Sequence, residues 1–242
     1  MKRVRNINPL ILIIGASLII VLALALIYIL NQSEQNKNED VIEELPELQP
    51  VGMDAEPDAE GWRSLFNGHT LDGWEITNFG PQGPVNVRDS SIILNFGDGS
   101  TGVNWTGDFP VINYEISLEA MRIDGHDIFS GITFPVEDSH ATFIIGGWAG
   151  SVVGISSIDG LDASENFTST RMAFDTGRWY NIRLRVDEEA ITGYIDDEQV
   201  VYVPMGRHNI HLRSGTSLST PLGLVSWSTT AALRNIKFRI RS

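Results

Sequence analysis

The chain has 242 residues, of which 42% are hydrophobic and 20% are charged, and it contains no cysteine. This length and composition predict one substantial domain or two small ones and exclude a disordered chain. The formal net charge of −14 argues against nucleic acid as a partner, because phosphate binding requires a clustered cationic surface. Without cysteine, disulfides, thiolate metal sites and thiol catalysis are excluded.

The N-terminal residues predict a membrane anchor. Leu10 to Leu30 form a run of 21 residues without charge, which as a helix covers about 31 Å and spans a bilayer. A cleaved signal peptide usually has a shorter apolar region, and Ala23-Leu24-Ala25 lies inside the run. Residues 1–30 carry three basic residues and no acidic one. We therefore expect a cytoplasmic stub and a single-pass transmembrane helix in a bacterial cell membrane, with everything after it extracytoplasmic.

The next segment, residues 31–61, has the composition of a linker. It combines ten acidic residues with a single lysine and few large apolar residues. Such a segment cannot bury enough surface to offset the loss of chain entropy on folding. We expect an acidic disordered linker that holds the following domain away from the membrane.

From residue 62 onward, apolar residues alternate with polar ones at the spacing of β-strands. The clearest case is Tyr114, Ile116, Leu118 and Ala120. Similar runs lie at Ile92–Phe96, Phe129–Phe134, Ala141–Ile145, Val152–Ile155, Tyr180–Val186, Ile191–Ile195, Val200–Val203, Leu222–Trp227 and Leu233–Ile240. About ten strands without a sustained helical period predict one all-β sandwich over residues 62–242.

Two pairs of ionisable residues flank one of these predicted strands. His126 and Asp127 precede Phe129–Phe134, and Asp138 and His140 follow it. Imidazole and carboxylate groups gathered at one rim suit proton transfer or metal ligation, whereas histidines in loops are usually only solvated. These four residues are the predicted catalytic candidates.

Acidic motifs suggest two further hypotheses. Glu115 and Glu119 lie on one face of a strand, as in laminarinase-type glycosidases, but the same spacing is ordinary strand alternation. Asp159-Gly160-Leu161-Asp162 with Glu165 offers hard oxygen ligands for a divalent metal such as calcium. An acidic turn explains this second motif equally well, because its order does not match a calcium loop.

Three tryptophans are candidates for substrate binding. Trp105, Trp148 and Trp227 lie at loop or strand ends, where an indole can either stack on a sugar ring or fill the core. Trp148 is the best candidate for an exposed ring, because its neighbours in Gly146-Gly147-Trp148-Ala149-Gly150 are small.

Several motifs from residue 62 to the end resemble one known family. They are Ser64-Leu65-Phe66-Asn67-Gly68, Leu71-Asp72-Gly73-Trp74, Tyr114-Glu115-Ile116-Ser117-Leu118, Ser130-Gly131-Ile132, Gly177-Arg178-Trp179-Tyr180-Asn181 and Leu233-Arg234-Asn235-Ile236-Lys237-Phe238. This pattern is similar to the 3-keto-disaccharide hydrolase family. The resemblance implies a concanavalin A-like jelly roll. For some members it implies hydrolysis of 3-keto-glycosides, in which the ketone acidifies the neighbouring C–H bond and permits elimination of the aglycone.

The chain departs from this family at one strand. Enzymatic members tend to carry Glu-x-Gln-x-x-Asp shortly after the Ser-Gly motif, whereas His140 to Trp148 contain no acid. Two functions therefore remain open: an extracytoplasmic hydrolase of 3-keto-glycosides, and a lectin-like module that binds a glycan or a surface partner without turnover.

The predicted anchor can be tested by fractionation. The full chain should sediment with membranes, and protease added outside the cytoplasmic membrane should remove the domain, because the uncharged run follows basic residues and precedes acidic ones. Immunoblotting of the fractions measures both effects. A soluble chain with a new N-terminus near Asn31 would show that the run is a cleaved signal peptide.

Overall fold

The computed structural model describes residues 22–31, 48–213 and 215–241. The polypeptide divides into two compact units, Met1–Glu47 and Leu48–Ser242. In the first unit an α-helix covers residues 22–31, and its large apolar side chains are exposed. No helix in the described ranges is long and apolar enough to cross a membrane. Most of the predicted anchor, up to residue 21, and residues 32–47 of the predicted linker lie outside the described residues.

The second unit is built from β-strands. In its described part, the fifteen strands are β1 (Arg63–Ser64), β2 (Trp74–Ile76), β3 (Val85–Arg88), β4 (Ser91–Leu94), β5 (Ser100–Trp105), β6 (Tyr114–Gly125), β7 (Ser130–Val136), β8 (Ser139–Gly146), β9 (Val152–Ser156), β10 (Thr170–Arg171), β11 (Trp179–Val186), β12 (Ala190–Ile195), β13 (Glu198–Pro204), β14 (Gly223–Trp227) and β15 (Thr229–Ile240). Single 3-10 turns cover Gly52–Asp54 and Ser217–Ser219.

The strands form two antiparallel sheets. Sheet A has the order β13-β12-β11-β6-β15-β4-β3, and β1 pairs with β15. Sheet B has the order β10-β9-β8-β7-β14-β5-β2. This architecture confirms the predicted all-β sandwich.

The core lies between the sheets, because alternate residues of each strand point toward the opposite sheet. Ile116 and Leu118 of β6 and Phe238 of β15 are fully buried from sheet A, and Phe134 and Phe143 are fully buried from sheet B. Each of the ten apolar runs identified in the sequence overlaps a strand. Strands β1, β2, β3, β5 and β10 were not predicted, because they are two to four residues long or, in β5, begin with three small or polar residues.

A tight turn between β12 and β13 fixes the edge of sheet A. Its two residues, Asp196 and Asp197, have φ of 49° and 65°. Two consecutive residues with positive φ are typical of the type I′ turn, which matches the right-handed twist of a hairpin. Asp196 also accepts hydrogen bonds from Arg178 and from the backbone N–H of Asn181.

The structure corrects one predicted sugar-binding residue. Trp105 is 4% exposed, and its ring packs edge-on against Trp74 with 5.3 Å between the centroids. A Cβ at Gly52 or Gly73 would collide with the Trp105 ring, so glycine is required at both positions. Trp105 is therefore a core residue and cannot stack on a ligand.

The residues before the first strand belong to the same compact unit as the sandwich. Ala55 is buried. Arg63 donates hydrogen bonds to the carbonyls of Met53, at 3.2 Å, and of Ala55. Residues 48–61, which lie in the predicted linker, thus cover one end of the core with Gly52 and Ala55.

Removing residues 48–61 should destabilise the domain without unfolding it. A fragment starting at Trp62 loses the cover over Trp105, which corresponds to about 1–3 kcal/mol of apolar burial. Chemical denaturation of fragments 48–242 and 62–242 measures the difference in unfolding free energy. Equal stability would mean that residues 48–61 contribute no packing energy.

Alanine substitution of two tryptophans should distinguish a core residue from a surface residue by the loss of stability. Trp105→Ala should lower the unfolding free energy by about 3–5 kcal/mol, because it leaves a cavity beside Trp74. Trp227 is 48% exposed, so Trp227→Ala should change the unfolding free energy by less than about 1 kcal/mol. Thermal melting of both variants checks the contrast, and similar losses would contradict the assignment of Trp105 to the core.

Candidate functional site

The outer face of sheet B is largely covered. The outward side chains of its central strands include Thr133 and Thr142, which are 0% and 1% exposed. Their hydroxyls share a hydrogen bond of 3.0 Å. Ile144, the next outward residue of β8, is also buried. Strand β8 thus carries no acid and exposes little of its outward face.

Two segments of the chain pack on this outer face. Residues 157–169 cover β9: Ala163 packs against Gly154, and the Thr168 hydroxyl accepts a hydrogen bond from the backbone N–H of Ile155 at 2.9 Å. At the other side Ser219 lies against Gly223. The outer face of sheet B thus behaves as a second small core.

The four predicted catalytic residues do not form one cluster. His126 and Asp127 lie beside the turn that follows β8, whereas Asp138 and His140 lie at the turn between β7 and β8. The length of β8 separates the two pairs by roughly 20 Å at 3.3 Å per residue. The expectation of a shared rim was wrong for this geometric reason, although the role of each residue alone stays a prediction.

Asp127 has a structural function in this arrangement. Its Oδ1 accepts a hydrogen bond from the Ile128 N–H at 2.9 Å, and its Oδ2 accepts one from the Ala149 N–H at 3.2 Å. Ala149 and Trp148 have φ of 65° and 46°, so the carboxylate holds a left-handed turn. His126 and Asp138 are exposed.

His140 differs from the other three candidates. It is half-buried on β8, opposite Pro135 of β7. Burial lowers the pKa of His140 below its usual value, so its imidazole is neutral at pH 7. A neutral imidazole can accept a proton.

Trp148 and Trp227 lie at the surface to different extents. Trp148 is half-buried and packs on the small cluster formed by Ile144, Val152 and Ala163. The Arg213 guanidinium lies 5.6 Å from the centre of its ring. Sugar binding by these two rings stays a prediction.

The acidic motif at residues 159–165 does not fit a calcium site. Asp159 Oδ2 lies 2.7 Å from His208 Nδ1, and Asp162 lies 3.2 Å from Arg213 Nε. The hydrogen bond from His208 lowers the pKa of Asp159. Both carboxylates thus tie segment 157–169 to segment 208–213. Within residues 22–31, 48–213 and 215–241, no group of three His, Asp or Glu side chains could hold a metal ion.

The outer face of sheet A carries a different set of side chains. Glu115 of β6 is 2% exposed in its side chain and is surrounded by three arginines. Arg239 contacts one carboxylate oxygen at 2.5 Å, while Arg241 and Arg183 approach the other at 2.9 Å and 3.7 Å. A carboxylate engaged in this way is not available as a nucleophile.

Glu119, two residues beyond Ser117 on the same face, is held as an anion. Burial of its carboxylate raises the pKa, but hydrogen bonds from Asn235 and Arg234 outweigh burial, and the net pKa is lowered. A glycosidic general acid requires a raised pKa. The hypothesis of a glycosidase pair at Glu115 and Glu119 is therefore wrong.

An open groove of about 500 Å³ lies against this face of sheet A. It is lined by Glu56, Pro57, Asp58, Trp62, Ser64, Phe66, Ser117, Leu118, Glu119, Asn181, Asn235, Ile236 and Lys237. Its volume falls in the range of small-molecule sites, about 300–1,000 Å³. The lining combines hydroxyls, amides and carboxylates with a few apolar rings.

The sequence interpretation missed the groove residues Ser117, Asn181 and Lys237 as site candidates. One signal was available: basic residues alternate as Arg183-x-Arg185 and as Lys237-x-Arg239-x-Arg241. Such alternation predicts cations on one face of each strand. Only the strand pairing reveals that the two sets lie on the same face of sheet A, where Lys237 lines the groove.

Comparison with known proteins agrees with this architecture. A glycosyl hydrolase candidate from Parabacteroides distasonis has 14% identity and a TM-score of 0.50, covering 76% of this chain and 95% of its own. The carbohydrate-binding module CBM66 from Bacillus subtilis has 15% identity and a TM-score of 0.47, covering 69% of this chain and 95% of its own. At 14% identity, the likeness to the Parabacteroides protein concerns the fold alone. A search of curated proteins found no match.

Family membership rests on the sequence itself. Residues 61–239 match the family described as the 3-keto-alpha-glucoside-1,2-lyase-like domain. This range contains strands β1 to β14 and all but the last residue of β15. The match covers most of the chain and agrees with the family that the sequence motifs indicated. The chain belongs to the family of 3-keto-alpha-glucoside-1,2-lyase-like domains.

Proposed function

We propose that this domain binds a glycan in the groove on the outer face of sheet A and does not cleave it. One observation carries the proposal: the outer face of sheet B is buried under residues 157–169 and 217–219, whereas the groove on sheet A is open. The family resemblance assigns the acids of enzymatic members to a strand that corresponds to β8. That strand has no acid and little accessible surface in this chain.

The side chains that line the groove suit sugar hydroxyls. Asn181 is exposed and supplies both a donor and an acceptor. The carboxylates of Glu56 and Asp58 on the opposite wall accept hydrogen bonds from hydroxyls. Pro57 and Phe66 add apolar surface for the face of a sugar ring.

The location of the domain is part of the same proposal. The uncharged run from Leu10 to Leu30, with basic residues before it and acidic residues after it, supports a single-pass anchor with its N-terminus in the cytoplasm. The groove would then face the extracytoplasmic space. A binding module held near the membrane would retain glycan at the cell surface.

A second candidate function follows from His140. The family description names a lyase, and elimination from a 3-keto-glycoside requires a base that removes a proton next to the ketone. His140 is neutral at pH 7 because burial lowers its pKa. Its unprotonated imidazole has a free lone pair that can accept this proton.

Glycan binding should depend on Asn181. We expect Asn181→Ala to weaken binding about tenfold, which is the loss of about one to two hydrogen bonds, while Asn86→Ala on β3, outside the groove, leaves binding unchanged. Isothermal titration of the domain with ligands identified on a glycan array measures both values.

The same samples test the alternative function. Release of aglycone from 3-keto-glucosides by the parent domain, lost in His140→Ala, would contradict a purely binding role. If Asn181→Ala leaves glycan binding unchanged, the binding site lies outside the groove.

A further inference from the structure

The three central strands of sheet A place their outward side chains in three cross-strand rows. The pairing of β11, β6 and β15 aligns Arg185 with Glu115 and Arg239 in the first row. Asn181, Glu119 and Arg234 form the third row.

The middle row differs in its charge. It aligns Arg183, Ser117 and Lys237, so two cations flank a hydroxyl and no carboxylate. Neighbouring strands are about 4.8 Å apart, which places the two flanking Cα atoms roughly 10 Å apart. Lys237 lines the groove beside Ser117, and Arg183 flanks Ser117 from the neighbouring strand.

The cations of the middle row are incompletely neutralised. Arg183 approaches Glu115 only at 3.7 Å, and that carboxylate already binds Arg239 and Arg241. In the described part of the chain, Lys237 forms no ion pair within 4.0 Å. Its amine lies 4.9 Å from the centre of the Trp62 ring. The carboxylates that act on Lys237 at longer range are Asp58 and Glu119.

Aromatic rings hold these cations in position. The Arg183 guanidinium lies 3.9 Å from the centre of the Tyr194 ring, and Lys237 lies over Trp62. Stacking of this kind reduces the side-chain entropy that a ligand would otherwise have to remove on binding. Both side chains are thus partly ordered before a ligand binds.

The opposite wall of the groove limits the kind of anion. Glu56 and Asp58 line it, and Glu119 lies beside Ser117 on the floor. Hydrogen bonds from the backbone of Trp62 and Glu60 keep the pKa of Asp58 low. These carboxylates repel a densely charged polyanion but accept hydrogen bonds from hydroxyls. The favoured ligand has one anionic group on one side and hydroxyls on the other.

We propose that the groove recognises an acidic sugar residue, whose carboxylate lies over Ser117 between Arg183 and Lys237 and whose hydroxyls face Glu56 and Asp58. The proposal rests on the proposed glycan-binding function and adds the class of sugar. A uronic acid within a polysaccharide has this combination of groups.

The test compares oligomers of a uronic acid with their methyl esters, which differ only in charge. The full chain is kept in a detergent without a sugar headgroup, and affinities are measured by titration calorimetry at low and at 0.5 M salt. The parent chain should prefer the free acid at least tenfold at low salt, and the preference should shrink at high salt.

Two variants at Ser117 separate the effect of a negative charge from the effect of side-chain size. Ser117→Glu supplies a carboxylate from the protein itself and should abolish the preference for the acid, with an unchanged or higher melting temperature. The Gln side chain has nearly the same volume as Glu but no charge. Ser117→Gln should therefore retain the preference for the acid, even if both ligands bind more weakly. Lys237→Gln should reduce the preference, whereas Arg171→Gln on β10 of sheet B should not.

The following outcomes would overturn the proposal. Equal binding of acid and ester, or an acid preference that survives Ser117→Glu, would show that the middle row holds no anion. Tighter binding of a heavily sulfated polysaccharide than of the uronate oligomer would indicate a general polyanion surface. If neutral glycans bind with dependence on Asn181 but show no acid preference, the glycan-binding function stands and only this inference fails. If no glycan binds, both fail.

Discussion

The pairing of β6 with β11 on one side and β15 on the other is the constraint on which both the core and the groove depend. Strands β6 and β15 are twelve residues long, and a shift of one residue in their register would exchange every inward and outward side chain. The observed register buries Ile116 and Leu118. The same register brings Glu115 into contact with Arg239 and Arg241.

The buried ion cluster around Glu115 strengthens this register at an energetic cost. Removing a carboxylate from water is unfavourable unless charge and hydrogen bonds compensate it. Three arginines from β11 and β15 and from the residue after β15 provide that compensation. In any slipped register Glu115 would lose these partners, so the cluster disfavours alternatives even if it adds little to net stability.

The two outer faces of the sandwich have opposite characters. On sheet B, small residues such as Gly131, Thr133 and Gly154 allow segments of the chain to pack closely, and the face becomes dry. On sheet A, long charged side chains stack on Trp62, Trp179 and Tyr194 and keep the face polar. The outer face of sheet B is therefore already covered by the chain, whereas the outer face of sheet A carries an open groove.

The sequence by itself determined the all-β class, because the period of two in runs such as Tyr114 to Ala120 is a local property of the chain. It also determined the family, through the motifs around Asn67, Gly73 and Asn235. It could not determine that Trp105 is buried, since an indole at a strand end can either fill a core or stack on a ligand, and only the packing of Gly52 and Gly73 against the ring decides between them.

The groove could not be predicted from the sequence for a specific reason. Arg234 and Lys237 are three residues apart, and in a regular strand they would point to opposite faces. A register shift between Arg234 and Lys237, where Asn235 has φ of 51°, adds a bulge that turns both side chains outward. Simple alternation cannot predict this bulge, because it arises from the pairing of β15 with β6. The same pairing places Ser117 between two cations that lie 54 residues apart in the chain.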